Sequence, residues 1–289
     1  MSESNLREIE KRVDELSSLS ADAKLPADAR SVVETLLDAL EAGSVRAAQK
    51  DEASGVWRAV PWVKRGILLG FRVGGMIDMS ITGKNDVGLA FFDKDTYPPR
   101  HLTLQDGIRV VPGGSSIRRG AYVAAGVVCM PPMYINVGAH IGSGTMIDSH
   151  ALVGSCAQVG ERVHLSAAAQ LGGVLEPVNA LPVVIEDDVV IGGNCGIYEG
   201  TLVRRRAVIG AGVVLTRGTP VYDLEGECVR RSEFGKPLEI PENAVVVPGA
   251  RAAKSNWARE QGLSLQTPII VKYRDEKTDA ATALESWLR

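Results

Sequence analysis

The sequence predicts a mainly β chain, wound as a parallel β-helix of triangular cross-section, with a small helical domain before it and a short α/β segment after it. Three observations predict this. An aliphatic residue returns at every sixth position from Ile135 through Ile141, Ile147, Val153, Val159 and Leu165 to Leu171. A second run repeats from Ile185 through Ile191, Ile197, Val203, Ile209 and Leu215 to Val221. Many of these residues precede a small one, as in Ile141-Gly142, Val153-Gly154 and Ile209-Gly210. Aromatic residues make up only 5% of the chain, which suits a narrow interior that admits aliphatic side chains.

A helix repeats near 3.6 residues and a half-buried strand near 2, so a period of six is neither. It fits a short strand plus a corner, with one side chain per repeat pointing to a central axis. Wound three repeats to a turn, each inward residue stacks on the one a coil below, about 4.8 Å away. Small residues let the chain turn sharply at the corners. Such repeats bury their faces only against their neighbours. Going back from Ile135, the same register meets Cys129, Val123, Ile117 and Val111. It breaks once: fourteen residues separate Leu171 from Ile185, where twelve would keep phase. The surplus predicts a protruding loop over Gly172–Pro182, and loops on a rigid scaffold are where binding groups collect.

Taken in order, Leu6, Ile9, Val13 and Leu16 have helical spacing, and Pro26–Asp28 interrupts it. Val32, Val33, Leu36, Leu37 and Leu40 predict a second amphipathic helix over Ala29–Ala42, stopped by Gly43. A strand is expected near Val56–Val60; Pro61 to Val73 fits helix or strand, the helix being favoured with the proline near its start. Residues 75–108 read as an irregular segment with short strands, and Gly107–Pro112 leads into the prism. After Val221 the period fails. Tyr222–Glu227 reads as a turn between strands, Ala244–Gly249 as one more coil edge, Pro268–Lys272 as a strand and Ala280–Leu288 as a terminal helix. The expected domains are 1–108, 109–221 (about 250 being the alternative end) and 222–289.

The 289 residues are 45% hydrophobic and 23% charged, with a net charge of -3. That balance gives no electrostatic reason to bind nucleic acid or an anionic membrane. No stretch approaches the roughly 20 apolar residues of a membrane span, and Met1–Asp14 lacks the apolar core of a secretory signal. Cys129, Cys156, Cys195 and Cys228 form no C-x-x-C pair and have no zinc-ligand spacing. Reduced structural thiols and a cytoplasmic location are expected.

Five motifs narrow the reading. They are Gly107-Ile108-Arg109-Val110-Val111-Pro112, Gly144-Thr145-Met146-Ile147-Asp148, Val153 to Gly160, Val163-His164-Leu165-Ser166, and Gly172-Gly173-Val174-Leu175-Glu176-Pro177. In this order and spacing they resemble the tetrahydrodipicolinate N-succinyltransferases of lysine and diaminopimelate biosynthesis, over residues 28 to 250. The resemblance implies a left-handed parallel β-helix and a homotrimer whose active sites lie in clefts between neighbouring prisms. It also implies succinyl-CoA as co-substrate, no metal, and no nucleic-acid or membrane partner.

Residue by residue, Asp148 matches the family's catalytic carboxylate. An ammonium is not a nucleophile until it loses a proton, and a carboxylate can orient it or accept that proton. Arg109 matches the substrate-binding arginine, whose guanidinium grips a carboxylate in a bidentate manner. Glu176 and Glu199 match positions at the substrate pocket. Ser166 and Gly173 match small positions beside the acyl-carrier groove, where backbone amides stabilise a developing oxyanion. Arg251 and Lys254 follow the last coil and are candidates for coenzyme A phosphates.

The chain departs from the family at His150, where many members have Trp, at Gly196, where they often carry glutamate, and over Ser255–Gln266. Three other readings compete. One is an acetyltransferase with His150 or His164 as base. Another is a zinc enzyme with His140, His150 and His164 as ligands, which needs three imidazoles around one ion. The third is a non-catalytic trimeric scaffold.

Overall fold

Ser2 caps α1 (Glu3–Ser17), its Oγ accepting from the Asn5 amide at 3.3 Å. The computed structural model describes residues 2–82, 88–233 and 235–276. The expected terminal helix over Ala280–Leu288 lies outside the described residues. Helices α2 (Ala29–Glu41) and α3 (Pro61–Val73) follow, with Pro61 in the first turn of α3, where its missing N–H costs nothing. The three helices bury Val13, Leu16, Val33, Leu36, Val63 and Ile67 against one another. Their approach depends on Gly66, since a Cβ there would collide with the Leu36 side chain. Between α2 and α3 runs an antiparallel hairpin, Ala48–Lys50 with Trp57–Ala59. The first of these strands gave no sequence signal. Two further short antiparallel pairs, Met76–Asp78 with Phe92–Lys94 and Ile81–Thr82 with Gly88–Leu89, occupy the segment read as irregular.

From Arg109 onward, two-residue strands wind around three faces of a prism. The first face stacks Arg109–Val110, Val128–Cys129, Met146–Ile147, His164–Leu165, Val190–Ile191 and Val208–Ile209 in parallel. The second face stacks Ser116–Ile117 through Gly196–Ile197 to Val214–Leu215, and the third Tyr122–Val123 through Gln158–Val159 to Leu202–Val203. In each pair after Arg109–Val110 the second residue points inward. Ile135, Ile141, Ile147, Val153, Val159 and Leu165 all have 0% exposure. Each such burial contributes about 1.5–3 kcal/mol before chain entropy is counted. Corner residues enter left-handed backbone space, including the non-glycine His150, Cys156 and Glu199 at φ 61°, 66° and 53°.

One register differs from expectation. Val110, not Val111, stands on Cys129. The step from Val110 to Ile117 is therefore one residue too long, and Gly113 and Gly114, both at positive φ, take up the extra residue in a turn. At the other end, Glu239–Ile240 adds to the third face on Leu202–Val203, and Val245–Val246 to the first face on Val208–Ile209. The coil edge read at Ala244–Gly249 is the start of a nine-residue strand, Ala244–Ala252. It pairs antiparallel with Ser264–Tyr273, and α4 (Asn256–Glu260) lies between them.

The helical domain and the prism meet at the edge between the second and third faces. There Val137 and Cys156 belong to the helical core rather than to the prism's own. Leu175, in the protruding loop, packs on the same core. The Lys64 side chain, fully buried on α3, donates from Nζ to the Ala180 carbonyl at 2.6 Å and moors that loop.

Candidate functional site

Two edges of the prism carry the residues singled out in the sequence. The first runs between the first and second faces. Asp148 leaves the end of Met146–Ile147, its amide donating to the Leu165 carbonyl at 2.9 Å, so a ladder hydrogen bond and not a loop fixes its backbone. Its Oδ1 accepts from the Ser149 amide at 2.7 Å. One coil on, Ser166 takes the same place in the ladder, its amide donating to the Ile191 carbonyl at 2.9 Å. Gly192 and Gly210 follow in the next two coils, so beyond Asp148 the edge is floored by small residues. His164, in register with Met146, brings Nε2 to 3.7 Å from Asp148 Oδ2. Arg109 lies on the same face, in register with Val128 and through it with Met146. It is thus two coils, about 10 Å, from the Asp148 coil.

The C-terminal strand leaves from this edge too, since the Gly210 amide donates to Val246. Arg251 pairs with Leu265 farther along it, and exposed Lys254 directly precedes α4, whose N-cap is Ser255. Four coils separate Asp148 from this exit, about 19 Å along the prism.

The second edge, between the second and third faces, carries Gly173, Glu176 and Glu199. Glu199 is exposed, and its Oε2 accepts from the Arg217 amide at 2.9 Å. Glu176 is exposed on the loop moored by Lys64. Tyr198 covers Gly196: a Cβ at Gly196 would collide with the Tyr198 ring, so a larger side chain enters only if the tyrosine moves. Within one chain the two edges flank the second face, and their residues do not meet. The three histidines are divided as well. His150 and His164 serve the first edge, whereas His140 stands on the third face, stacked on Tyr122 with ring centres 4.3 Å apart. Among the described residues no group of three His, Cys, Asp or Glu is placed to hold a metal ion, and no helix is long and apolar enough to cross a membrane.

His140 carries a testable pH dependence. Burial, reinforced by the charge of Arg46, pushes its pKa down from the ordinary 6.5 to about 3. Below pH 6.5 the unfolded chain therefore binds a proton that the folded chain refuses until about pH 3. Stability falls as pH drops through that window, by roughly 2 kcal/mol at pH 5 from this residue alone. Urea midpoints measured at pH 7.5 and pH 5 are expected to separate less in His140→Gln than in the unaltered chain. An equal separation would remove the assignment.

A period-six prism defines the hexapeptide-repeat class of proteins, and the comparisons narrow it to acyl transfer. Residues 182–217 match the family model described as the hexapeptide repeat of succinyl-transferase, and residues 6–73 match that of the tetrahydrodipicolinate N-succinyltransferase N-terminal region. The chain belongs to the 2,3,4,5-tetrahydropyridine-2,6-dicarboxylate N-succinyltransferase family. A member from Polynucleobacter asymbioticus is 38% identical over 100% of both chains. One from Rhodopseudomonas palustris is 40% identical over 91% of this chain and 90% of its own. Another, from Idiomarina loihiensis, is 40% identical over the same shares. The winding is accordingly the left-handed parallel β-helix. A solved Campylobacter jejuni chain described as a 2,3,4,5-tetrahydropyridine-2-carboxylate N-succinyltransferase covers 83% of this chain and 62% of its own. The two are 16% identical, with a TM-score of 0.45.

Sequence reasoning singled out Asp148 and its coil neighbour Ser166 but not the approach of His164 to Asp148. The signal was present, since 164 follows 146 by the eighteen residues of one coil. It also missed Lys64, a lysine in an amphipathic helix that nothing in the sequence distinguishes from a solvated one.

Proposed function

We propose that this protein transfers the succinyl group of succinyl-CoA to the amine of ring-opened tetrahydrodipicolinate, in the cytoplasmic synthesis of diaminopimelate and lysine. The observation that carries the reading is the position of Asp148, fixed by the ladder on a small-residue edge, in a chain 38% identical over its whole length to a named succinyltransferase. The Asp148 carboxylate orients the substrate ammonium and takes its proton. The free amine then attacks the thioester carbonyl, an N–C bond forms, the C–S bond breaks, and coenzyme A leaves as the thiol once protonated. No acyl-enzyme intermediate is involved.

Arg109 holds a carboxylate of the diacid. Gly173 offers its amide to the thioester oxygen and Ser166, whose amide the ladder already uses, its hydroxyl, while Arg251 and Lys254 meet coenzyme A phosphates. Glu176 and Glu199 complete the substrate pocket. The division calls for a homotrimer in which, with the second face turned inward, the Asp148 edge of one protomer meets the Glu176 edge of the next. No metal is required, and the partners are small molecules.

The test is thiol release from succinyl-CoA and from acetyl-CoA in the presence of the diacid. Succinyl-CoA is expected to be used at least ten times faster. In the same assay Arg109→Ala is expected to raise KM for the diacid by about tenfold or more, as losing a charge-assisted hydrogen bond implies, with KM for the thioester nearly unchanged. A preference for acetyl-CoA would overturn the donor, and a parallel rise in both KM values would overturn the role of Arg109.

A further inference from the structure

The third edge of the prism, between the third and first faces, carries none of the residues assigned above. A cavity of about 570 Å³ opens there, between the prism and the hairpin of residues 48–59. It is lined by Arg46, Trp57, Tyr122, His140 and Asp187, among others.

Its charges are unevenly spent. Glu186 is consumed by Lys50 at 2.8 Å, the Trp57 indole N–H at 2.9 Å and Arg204 at 3.2 Å. Arg46 donates from Nε to Gln158 Oε1 at 2.9 Å and lies 5.5 Å over the Trp57 ring. Among the described residues no carboxylate stands within ion-pair distance of it. Burial pushes its pKa down, the reverse of the carboxylate-paired Arg12 and Arg162. A half-buried guanidinium whose facing charge, Asp187, lies beyond ion-pair distance is poorly compensated, and an anion supplied from outside relieves it. Asp187 Oδ1 accepts from the Glu161 amide at 2.8 Å, and among the described residues Asp187 forms no ion pair. His140 Nδ1 is buried with no hydrogen-bond partner, its ring stacked on Tyr122.

We propose that this cavity binds a free α-amino acid. Its carboxylate sits on the outer N–H groups of Arg46, its ammonium on Asp187, and its side chain among Trp57, Tyr122 and His140. Of the lining cations Arg46, Lys50 and Arg205, the last two are paired with Glu186 and Asp188, and the remaining guanidinium suits one carboxylate. Glu161 and Asp187 at the rim oppose a doubly charged phosphate, and the aromatic rings give an apolar or cationic side chain a surface to cover. A buried imidazole nitrogen with no partner is the kind of group that a ligand N–H or carboxylate satisfies.

Isothermal titration of the full-length protein tests the site, with L-leucine, L-phenylalanine, L-lysine, acetate and inorganic phosphate as probes. At least one amino acid is expected to bind saturably, and phosphate is not. Asp187→Asn keeps the oxygen that accepts from Glu161 but removes the charge, and it should weaken binding about tenfold or more. Arg46→Met should do the same, with the rate of thiol release in amino-acid-free buffer unchanged in both. The proposal is overturned if no amino acid binds saturably, if phosphate binds more tightly than every amino acid, or if Asp187→Asn binds as the unaltered chain does. These outcomes leave the succinyl-transfer reading untouched, because none of the residues involved belongs to the two edges that carry it.

Discussion

Asp148→Asn is expected to lower turnover by about 10²- to 10⁴-fold, the range a positioned proton acceptor supplies, while the unfolding midpoint stays within the scatter of the unaltered chain. The separation of the two effects follows from how the residue is held. Its amide belongs to the ladder, donating to Leu165, and Asn keeps both that bond and an oxygen for the Ser149 amide. Only the charge and the ability to take a proton are lost. Single-turnover thiol release at saturating succinyl-CoA and diacid is the measurement. Turnover within threefold of normal would remove Asp148 from the chemistry. If His164, 3.7 Å away, were the true base, His164→Asn would cause the larger loss.

The second large effect concerns the prism itself. Leu165 has 0% exposure and stacks between Ile147 and Ile191 on the first face. Leu165→Ala is expected to cost about 2–5 kcal/mol, because a narrow stacked interior cannot collapse into the cavity left behind. Val214 occupies the outward place on the second face and is 39% exposed. Val214→Ala should stay within about 0.5 kcal/mol. Urea unfolding at one protein concentration compares them, since subunit assembly makes the midpoint depend on concentration. Similar costs for the two would mean that the inward column does not carry the stability assigned to it.

The stacking was legible in the sequence because each six-residue repeat commits one side chain to the axis, so periodicity and burial report the same residues. The slip at Val110 was not legible. It is absorbed between Gly113 and Gly114, where no inward side chain marks the phase. α1, α2 and α3 could be read from the spacing of their apolar residues and from Pro61, whereas Ala48–Lys50 is too short to show a period. For the candidate site, the separation of Asp148 from Ser166 by one coil was implicit in their numbers. The presence of Glu176 and Gly173 on another edge depended on following the turn through the protruding loop. The cavity on the third edge had no sequence signal at all. Arg46 and Gln158 meet across 112 positions, and only the docking of the hairpin on the prism brings them together.

The mooring of the protruding loop by Lys64 has an evolutionary consequence. In the proposed reaction the Asp148 carboxylate is borne by repetitive lattice, which tolerates little change, while Glu176 rides on a segment tethered at Ala180 and through Leu175. On that proposal, substrate preference would drift by remodelling the tethered segment, generation after generation, while the proposed proton acceptor stays in place.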